Sequence, residues 1–180
     1  MTRLTHTLFA TAALCLCAVS AQAGDMQDLV DQCTTDASSA RAVLACTELS
    51  RHADSDTLQG QIIAKRALHR VALGNHAAAA SDFDRAAQLT QDPAMASLGT
   101  AFAAVSDRDL ATAQARFEDC GAQGSLASVA HYGLGLTHDM AGRPDEARAS
   151  FQQALALRPD WDVAAEKVWN NRRVGGVLQK

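Results

Sequence analysis

The sequence lacks the features that mark an integral membrane protein or an enzyme of a recognisable kind. After Val19 no apolar run approaches the roughly 20 residues that a helix needs to cross a bilayer. There is no GxSxG, phosphate-binding glycine loop, CxxC or HExxH motif, and the acidic residues are scattered. We therefore expect no membrane span, no enzymatic activity and no cofactor. Catalysis would require a site assembled from residues that are distant in the sequence.

Positive charge is also scarce. The chain has 16 lysines and arginines against 20 aspartates and glutamates, a formal net charge of −4. A surface of this sign does not attract phosphates, which argues against nucleic acid as a partner. The local basic groups are interpreted as solvated helix faces or a frayed end, and they comprise Lys65, Arg66, His69, Arg70, Arg172, Arg173 and Lys180.

No segment alternates apolar and polar residues as a strand would, and the chain is rich in alanine, leucine, glutamine and arginine. These residues favour helices. Turn-forming residues divide the chain into segments of about a dozen residues, at 74–75, 92–93, 142–144 and 159–160 among others. The sequence therefore predicts an all-α protein of short helices.

The N-terminus has the layout of a secretory signal peptide. Arg3 precedes an apolar run over 8–19, and a small-residue pattern ends at Ala23. We expect cleavage after Ala23 and a periplasmic or secreted mature chain. A membrane anchor or a lipoprotein attached at Cys15 or Cys17 is the less favoured alternative, because the run is short and neither cysteine follows small residues of the usual kind.

Three positions recur with a period of 34 residues. Phe83, Phe117 and Phe151 are flanked four residues upstream and three downstream by small residues, so each set occupies one face of a helix. The small residues are Ala79, Ala113 and Ala147 upstream, and Ala86, Cys120 and Ala154 downstream. A single helical hairpin cannot bury such a stripe, so the repeats are expected to stack on one another.

The segment 134–159 resembles the tetratricopeptide repeat. The matching residues are Leu134, Gly135, Gly142, Ala147, Phe151, Ala154 and Pro159. The upstream copies depart from this pattern, most clearly at Arg108, which replaces the turn glycine. The resemblance implies a right-handed helical-hairpin solenoid with three repeats at 60–93, 94–127 and 128–161.

The flanking segments fit the same architecture. Residues 24–59 are interpreted as a degenerate first hairpin, and 162–180 as a capping helix and tail. Helical spacing places Trp161, Ala165, Val168 and Trp169 on one apolar face, which would close the end of the array.

Three cysteines remain after export, in a compartment where disulfides persist. Cys120 takes the place of a small alanine in its repeat, so Cys33 and Cys46 are the candidate pair, and exported proteins that resemble this one tend to carry such a bridge. A turn at 34–38 would place Cys46 about two helical turns beyond Cys33, which argues against the bridge. Two separately buried thiols are the alternative.

Members of the tetratricopeptide repeat family bind peptides or short helices in a concave groove formed by the first helix of each repeat. The resemblance implies that the groove residues here are Leu68, Val71, Met95, Leu98, Phe102, Val105, Val129, Tyr132, Leu136, Asp139 and Met140. The alternative is that part of this set is core, or is covered by the C-terminal helix.

The functional hypothesis is an exported adaptor that binds an unknown protein partner and is a monomer or a weak homo-oligomer. A self-assembling envelope protein is the second hypothesis, and a periplasmic enzyme or metal binder is the third. His131 and His138 share a helix face, but they occupy positions where this family commonly packs aromatic side chains. No metal ligand is assigned to them.

Overall fold

In a computed structural model of the protein, the described residues are 25–35, 39–121, 124 and 126–175, with side chains described up to residue 170. The predicted signal peptide, 1–23, lies outside these ranges. Regular structure in the described residues is entirely helical, which confirms the all-α prediction. The helices are α1 (25–34), α2 (Ala40–Arg51), α3 (Asp56–Ala72), α4 (His76–Thr90), α5 (Pro93–Asp107), α6 (Leu110–Gly121), α7 (Ala127–Met140), α8 (Pro144–Leu157) and α9 (Asp162–Gly175).

The helices form a row in which each one packs mainly on its neighbour in sequence, from α2 through α9. The second helices of the three hairpins begin at His76, Leu110 and Pro144, so their starts are 34 residues apart. This interval is the period found in the sequence. Because contacts run between successive helices, the fold is a helical-hairpin solenoid.

Side-chain caps fix where several helices begin. Asn75 accepts a hydrogen bond from the backbone N–H of Ala78 at 3.3 Å, and Asp109 accepts one from Thr112 at 3.1 Å. Pro144 opens α8, where the missing N–H would have no partner in the helix in any case. These local signals set the helix boundaries near the breakers seen in the sequence.

The turn within each hairpin uses a left-handed residue. Gly74 and Gly142 have φ of +75° and +72°, and Arg108 has φ of +60° at the corresponding place in the middle repeat. The sequence departs from the repeat pattern at Arg108, but the backbone conformation there is the same. The middle hairpin therefore keeps its geometry with a residue that is less suited to this conformation than glycine.

The recurring aromatic residues form the centre of the stack. Phe83, Phe117 and Phe151 are all buried, together with the alanines that flank them. Gly133 and Gly135 on α7 lie directly against the rings of Phe117 and Phe151, and a Cβ on Gly135 would be 2.5 Å from the Phe151 ring. Glycine is needed on this helix because the two rings occupy the space of a side chain.

Helix α9 packs on α8 at the end of the array, although its buried face differs from the predicted one. Trp161, Ala164 and Val168 are buried, whereas Ala165 is exposed and Trp169 is 59% exposed. The predicted face is therefore wrong at Ala165 and Trp169. Helical spacing is compatible with either of two overlapping apolar faces, one through Ala164 and Val168 and one through Ala165 and Trp169. The helix buries the first, which continues from Trp161. The ring of Trp161 packs on that of Tyr132, with centroids 4.8 Å apart.

A disulfide between Cys33 and Cys46 ties α1 to α2, with 4.8 Å between the two Cα atoms. The predicted pairing is confirmed, and Cys120 is a free buried cysteine. Helix α1 extends through Thr34 and α2 begins at Ala40, close to the boundaries that the objection assumed, and the bridge is formed nevertheless. Next to the bridge, the ring Nε2 of buried His69 lies 2.9 Å from the carbonyl oxygen of Cys33.

We expect replacement of both Cys33 and Cys46 by alanine to lower the free energy of unfolding by about 2–3 kcal/mol. The bridge spans 13 residues, and crosslinking a loop of about this size restricts the unfolded chain by roughly that amount. Urea unfolding of the oxidised protein measures the difference, with Cys120→Ala as the control for loss of a buried sulfur. Equal unfolding midpoints for the double variant and the wild type would show that the bridge does not form in solution.

Candidate partner-binding site

Most of the predicted groove residues are in the hydrophobic core. Seven of the eleven side chains are buried, namely Val71, Leu98, Phe102, Val105, Val129, Tyr132 and Leu136. Leu68, Met95 and Met140 are partly buried, and Asp139 is exposed. The expectation that an open apolar groove exposes the seven is wrong, because their surfaces are already covered by other parts of the chain.

Aromatic contacts show what covers them. The ring of Phe102 stacks on Phe83 with centroids 5.6 Å apart and meets Phe117 edge-on at 4.9 Å. The ring of His76, at the start of α4, also stacks on Phe102, with centroids 6.0 Å apart. Phe102 is thus part of the contact between repeats and is not available to a partner.

Two charged residues of the last helix influence the pKa values of His76 and Tyr132. Burial lowers the pKa of His76, and the positive charge of Lys167 on α9 lowers it further. Burial likewise raises the pKa of Tyr132 well above its usual range, with a smaller contribution from Glu166 on α9. Charges on α9 therefore contribute to the electrostatics at residues of α4 and α7.

The sequence analysis missed an apolar cleft between α2 and the end of α3. Its walls carry two exposed leucines, Leu44 at 70% and Leu73 at 50% exposure, which are unusual in a chain that buries most of its large apolar side chains. We call this the α2–α3 cleft, with a volume of about 430 Å³ and a lining of Ala40, Val43, Leu44, Arg70, Leu73 and Asn75. Exposed apolar surface around a concavity is a common mark of a binding site.

Arg70 is held in place at this cleft by the side chain and backbone of α4. Its Nη1 lies 2.7 Å from Oδ2 of Asp82 and donates a hydrogen bond to the carbonyl oxygen of Ala78 at 3.1 Å. Asp82 is buried and also accepts two hydrogen bonds from Arg66, at 2.8 Å from Nε and 2.6 Å from Nη2. Nη1 of Arg66 reaches Thr47 on α2 at 3.0 Å, so the network joins α2, α3 and α4.

The interpretation of this basic group as a solvated helix face is therefore wrong for three of its members. The side chains of Arg66 and Arg70 are only 15% and 23% exposed, and His69 is buried. Their spacing along α3 placed them on one side of the helix, but the sequence could not show that Asp82 would lie opposite them. The other basic group, at 172–180, lies outside the side chains that the structure describes.

A larger cleft of about 520 Å³ lies between α4 and α5, and it is lined by acidic and amide side chains together with two alanines and a proline. It includes Gln88, Gln91, Asp92 and Asp84, whose pKa is raised by burial. No aromatic or large aliphatic side chain lines it, so an apolar partner would gain little there. We therefore consider the α2–α3 cleft the better candidate despite its smaller volume.

The described histidines are not grouped with other metal-ligating side chains. In the part of the chain that the structure describes, no three His, Cys, Asp or Glu side chains are placed to hold a metal ion. His138 lies with its Nδ1 3.4 Å from Glu146, and burial lowers its pKa, as does the nearby charge of Arg143. Over the described residues, no helix combines the length and apolar character required to traverse a bilayer.

Stacked helical hairpins with aromatic residues at a constant interval define a solenoid, the architecture of many protein–protein interaction modules. Residues 128–161 match the family model described as tetratricopeptide repeat. Proteins built from this repeat are typically non-catalytic interaction scaffolds.

Comparison with solved structures finds a chain described as "MamA RS-1 ArsTM double mutant", which is 22% identical to this one. The match covers 74% of this chain and 85% of that chain, with a TM-score of 0.39. Comparison with curated proteins gives no match.

Proposed function

We propose that this protein is an exported adaptor that binds a segment of a partner protein at the α2–α3 cleft. The observation that carries the proposal is the pair of exposed leucines, Leu44 and Leu73, on either side of a concavity beside a fixed arginine. Burying one such leucine against a partner contributes about 1.5–3 kcal/mol, so two of them can support a specific interaction.

Export is supported by the signal-peptide pattern ending at Ala23 and by the disulfide between Cys33 and Cys46. Disulfides persist outside the cytoplasm and are rare within it. Protein purified from the cell envelope should therefore begin at Gly24, as determined by N-terminal sequencing. Envelope protein that retains Met1 would contradict this part of the proposal.

The binding surface can be tested with a photo-crosslinking amino acid placed at Leu44 or Leu73 in intact cells. We expect one protein, identified by mass spectrometry, to be crosslinked from both positions and not from Leu157, an equally accessible leucine on α8. With that partner purified, Leu44→Ser and Leu73→Ser should each weaken binding about tenfold or more, since each removes a buried aliphatic contact. Unchanged affinity in both variants would exclude the α2–α3 cleft as the surface.

Self-association is the second candidate, and a separate feature favours it. The exposed Ala165 and Trp169 on α9 form an apolar strip at the end of the array, where another repeat would pack in a longer solenoid. Mass measurement across a range of protein concentrations distinguishes the two functions. An oligomer that dissociates on Trp169→Lys would support self-assembly, and a monomer at all concentrations would contradict it.

A further inference from the structure

The α2–α3 cleft combines apolar walls with a positive charge. Leu44, Leu73 and Val43 can contact an aliphatic side chain, and the guanidinium of Arg70 lies beside them. An apolar side chain alone would pack against the leucines and Val43. It would also remove water from the Arg70 guanidinium without supplying a hydrogen-bond acceptor in its place, which is unfavourable. The chemistry of the occupant is therefore constrained by Arg70.

Among the described residues, the arginines at this place outnumber the carboxylate that contacts them. Arg66 engages both carboxylate oxygens of Asp82, and Arg70 shares one of those oxygens. Two guanidinium groups thus meet one carboxylate, which leaves one net positive charge in the cluster. Arg70 is the more exposed of the two arginines and lines the cleft, so the unbalanced charge faces a potential ligand there.

Arg70 is also preorganised for binding. Its contacts with Asp82 and the carbonyl oxygen of Ala78 both use Nη1, so that, as far as the described residues extend, Nε and Nη2 can contact an acceptor. Because the side chain is already held, little rotamer freedom is lost when a ligand binds. Arginine forms its strongest and most directional contacts with planar anions such as carboxylates.

We infer that the α2–α3 cleft binds a peptide segment in which an aliphatic side chain lies within one helical turn of an Asp or Glu. The aliphatic group would lie between Leu44 and Leu73, and the carboxylate would contact Arg70. A side-chain carboxylate fits better than a chain terminus, because termini are captured by several converging donors and Arg70 is the one charged residue among the described residues of this lining. This inference rests on the proposed function.

The test uses a displayed library of random twelve-residue peptides selected against the immobilised, oxidised protein. We expect the enriched peptides to carry Asp or Glu within four residues of Leu, Ile or Met. The strongest binder is then synthesised with acetylated and amidated ends, as itself and with its acid changed to the amide. The amide peptide should bind about tenfold more weakly, since it loses a charge-assisted hydrogen bond.

The matched protein variants are Arg70→Met and Arg70→Lys, both checked for folding by thermal unfolding. Arg70→Met should bind the acid and amide peptides equally, and Arg70→Lys should keep part of the preference. The comparison of the two peptides against the wild-type protein needs no variant, so it remains decisive if Arg70→Met does not fold.

Equal binding of the acid and amide peptides to the wild type would overturn the inference about Arg70. The proposed surface would still hold in that case if Leu44→Ser and Leu73→Ser weakened the binding of both peptides. The same peptide is also made with a free C-terminus, and binding by that form alone would show that the terminus is the ligand and would overturn the inference. If no selected peptide depends on Leu44 or Leu73, both the inference and the proposed surface are wrong.

Discussion

Phe117→Ala should lower the free energy of unfolding by about 3–5 kcal/mol, the usual cost of truncating a buried aromatic side chain. Phe117 lies at the middle of the array, fully buried, with its ring edge-on to Phe102 and directly against Gly133 on α7. Its removal leaves a cavity between two repeats. The backbone on the α7 side cannot fill it, because Gly133 has no side chain to move into the space.

Urea unfolding followed by circular dichroism measures this change, with Leu157→Ala as the control. Leu157 is 55% exposed near the end of α8, and we expect its truncation to change stability by about 0.5 kcal/mol or less. A typical domain has only about 5–15 kcal/mol of stability, so the Phe117 variant should lose a large share of the total. A midpoint for Phe117→Ala close to that of the control would show that the repeats do not pack through this ring.

The architecture could be predicted because its signals are local and repeated. The interval between Phe83, Phe117 and Phe151 gave the period of the stack, and the starts of α4, α6 and α8 follow it. Even the turn at Arg108 adopts the left-handed conformation of the glycines in the other repeats. Packing against the neighbouring hairpins fixes this turn, so one unfavourable residue does not change its conformation.

The groove could not be predicted in the same way, because exposure depends on how closely the helices approach. The first helices have glycine where they meet the preceding hairpin, at Gly99 against Asp84 and at Gly133 against Phe117. Close approach at these points brings aromatic residues such as Phe102 into contact with their neighbours. A position that lines an open groove in the family is therefore buried here.

The α2–α3 cleft escaped sequence analysis for a different reason. Its shape depends on how the first hairpin sits on α3, and contacts between residues far apart in sequence set that placement. Gln59 donates a hydrogen bond to the carbonyl oxygen of Ser50 at 3.0 Å, and Arg66 reaches Thr47. A sequence pattern shows the chemistry of each of these residues but not which of them will meet.

Asp82→Ala is the second change from which we expect a large loss, about 3 kcal/mol. Asp82 is 4% exposed and is the shared partner of Arg66 and Arg70. Removing one partner of a buried ion pair typically costs 3–5 kcal/mol, because the remaining charge is left without compensation. We expect the lower end of that range, since both guanidiniums keep some contact with water.

Two comparisons separate the loss of this network from the loss of an ordinary surface charge. Asp145→Ala removes a carboxylate that is 84% exposed and pairs with Arg148 on the surface, so it should cost less than about 1 kcal/mol. The triple variant Arg66→Met, Arg70→Met, Asp82→Leu should recover much of the stability lost in Asp82→Ala, because no charge remains uncompensated and the volume is filled. If Asp82→Ala were as stable as Asp145→Ala, the arginines would be solvated in solution, and the fixed cation of the α2–α3 cleft would not exist.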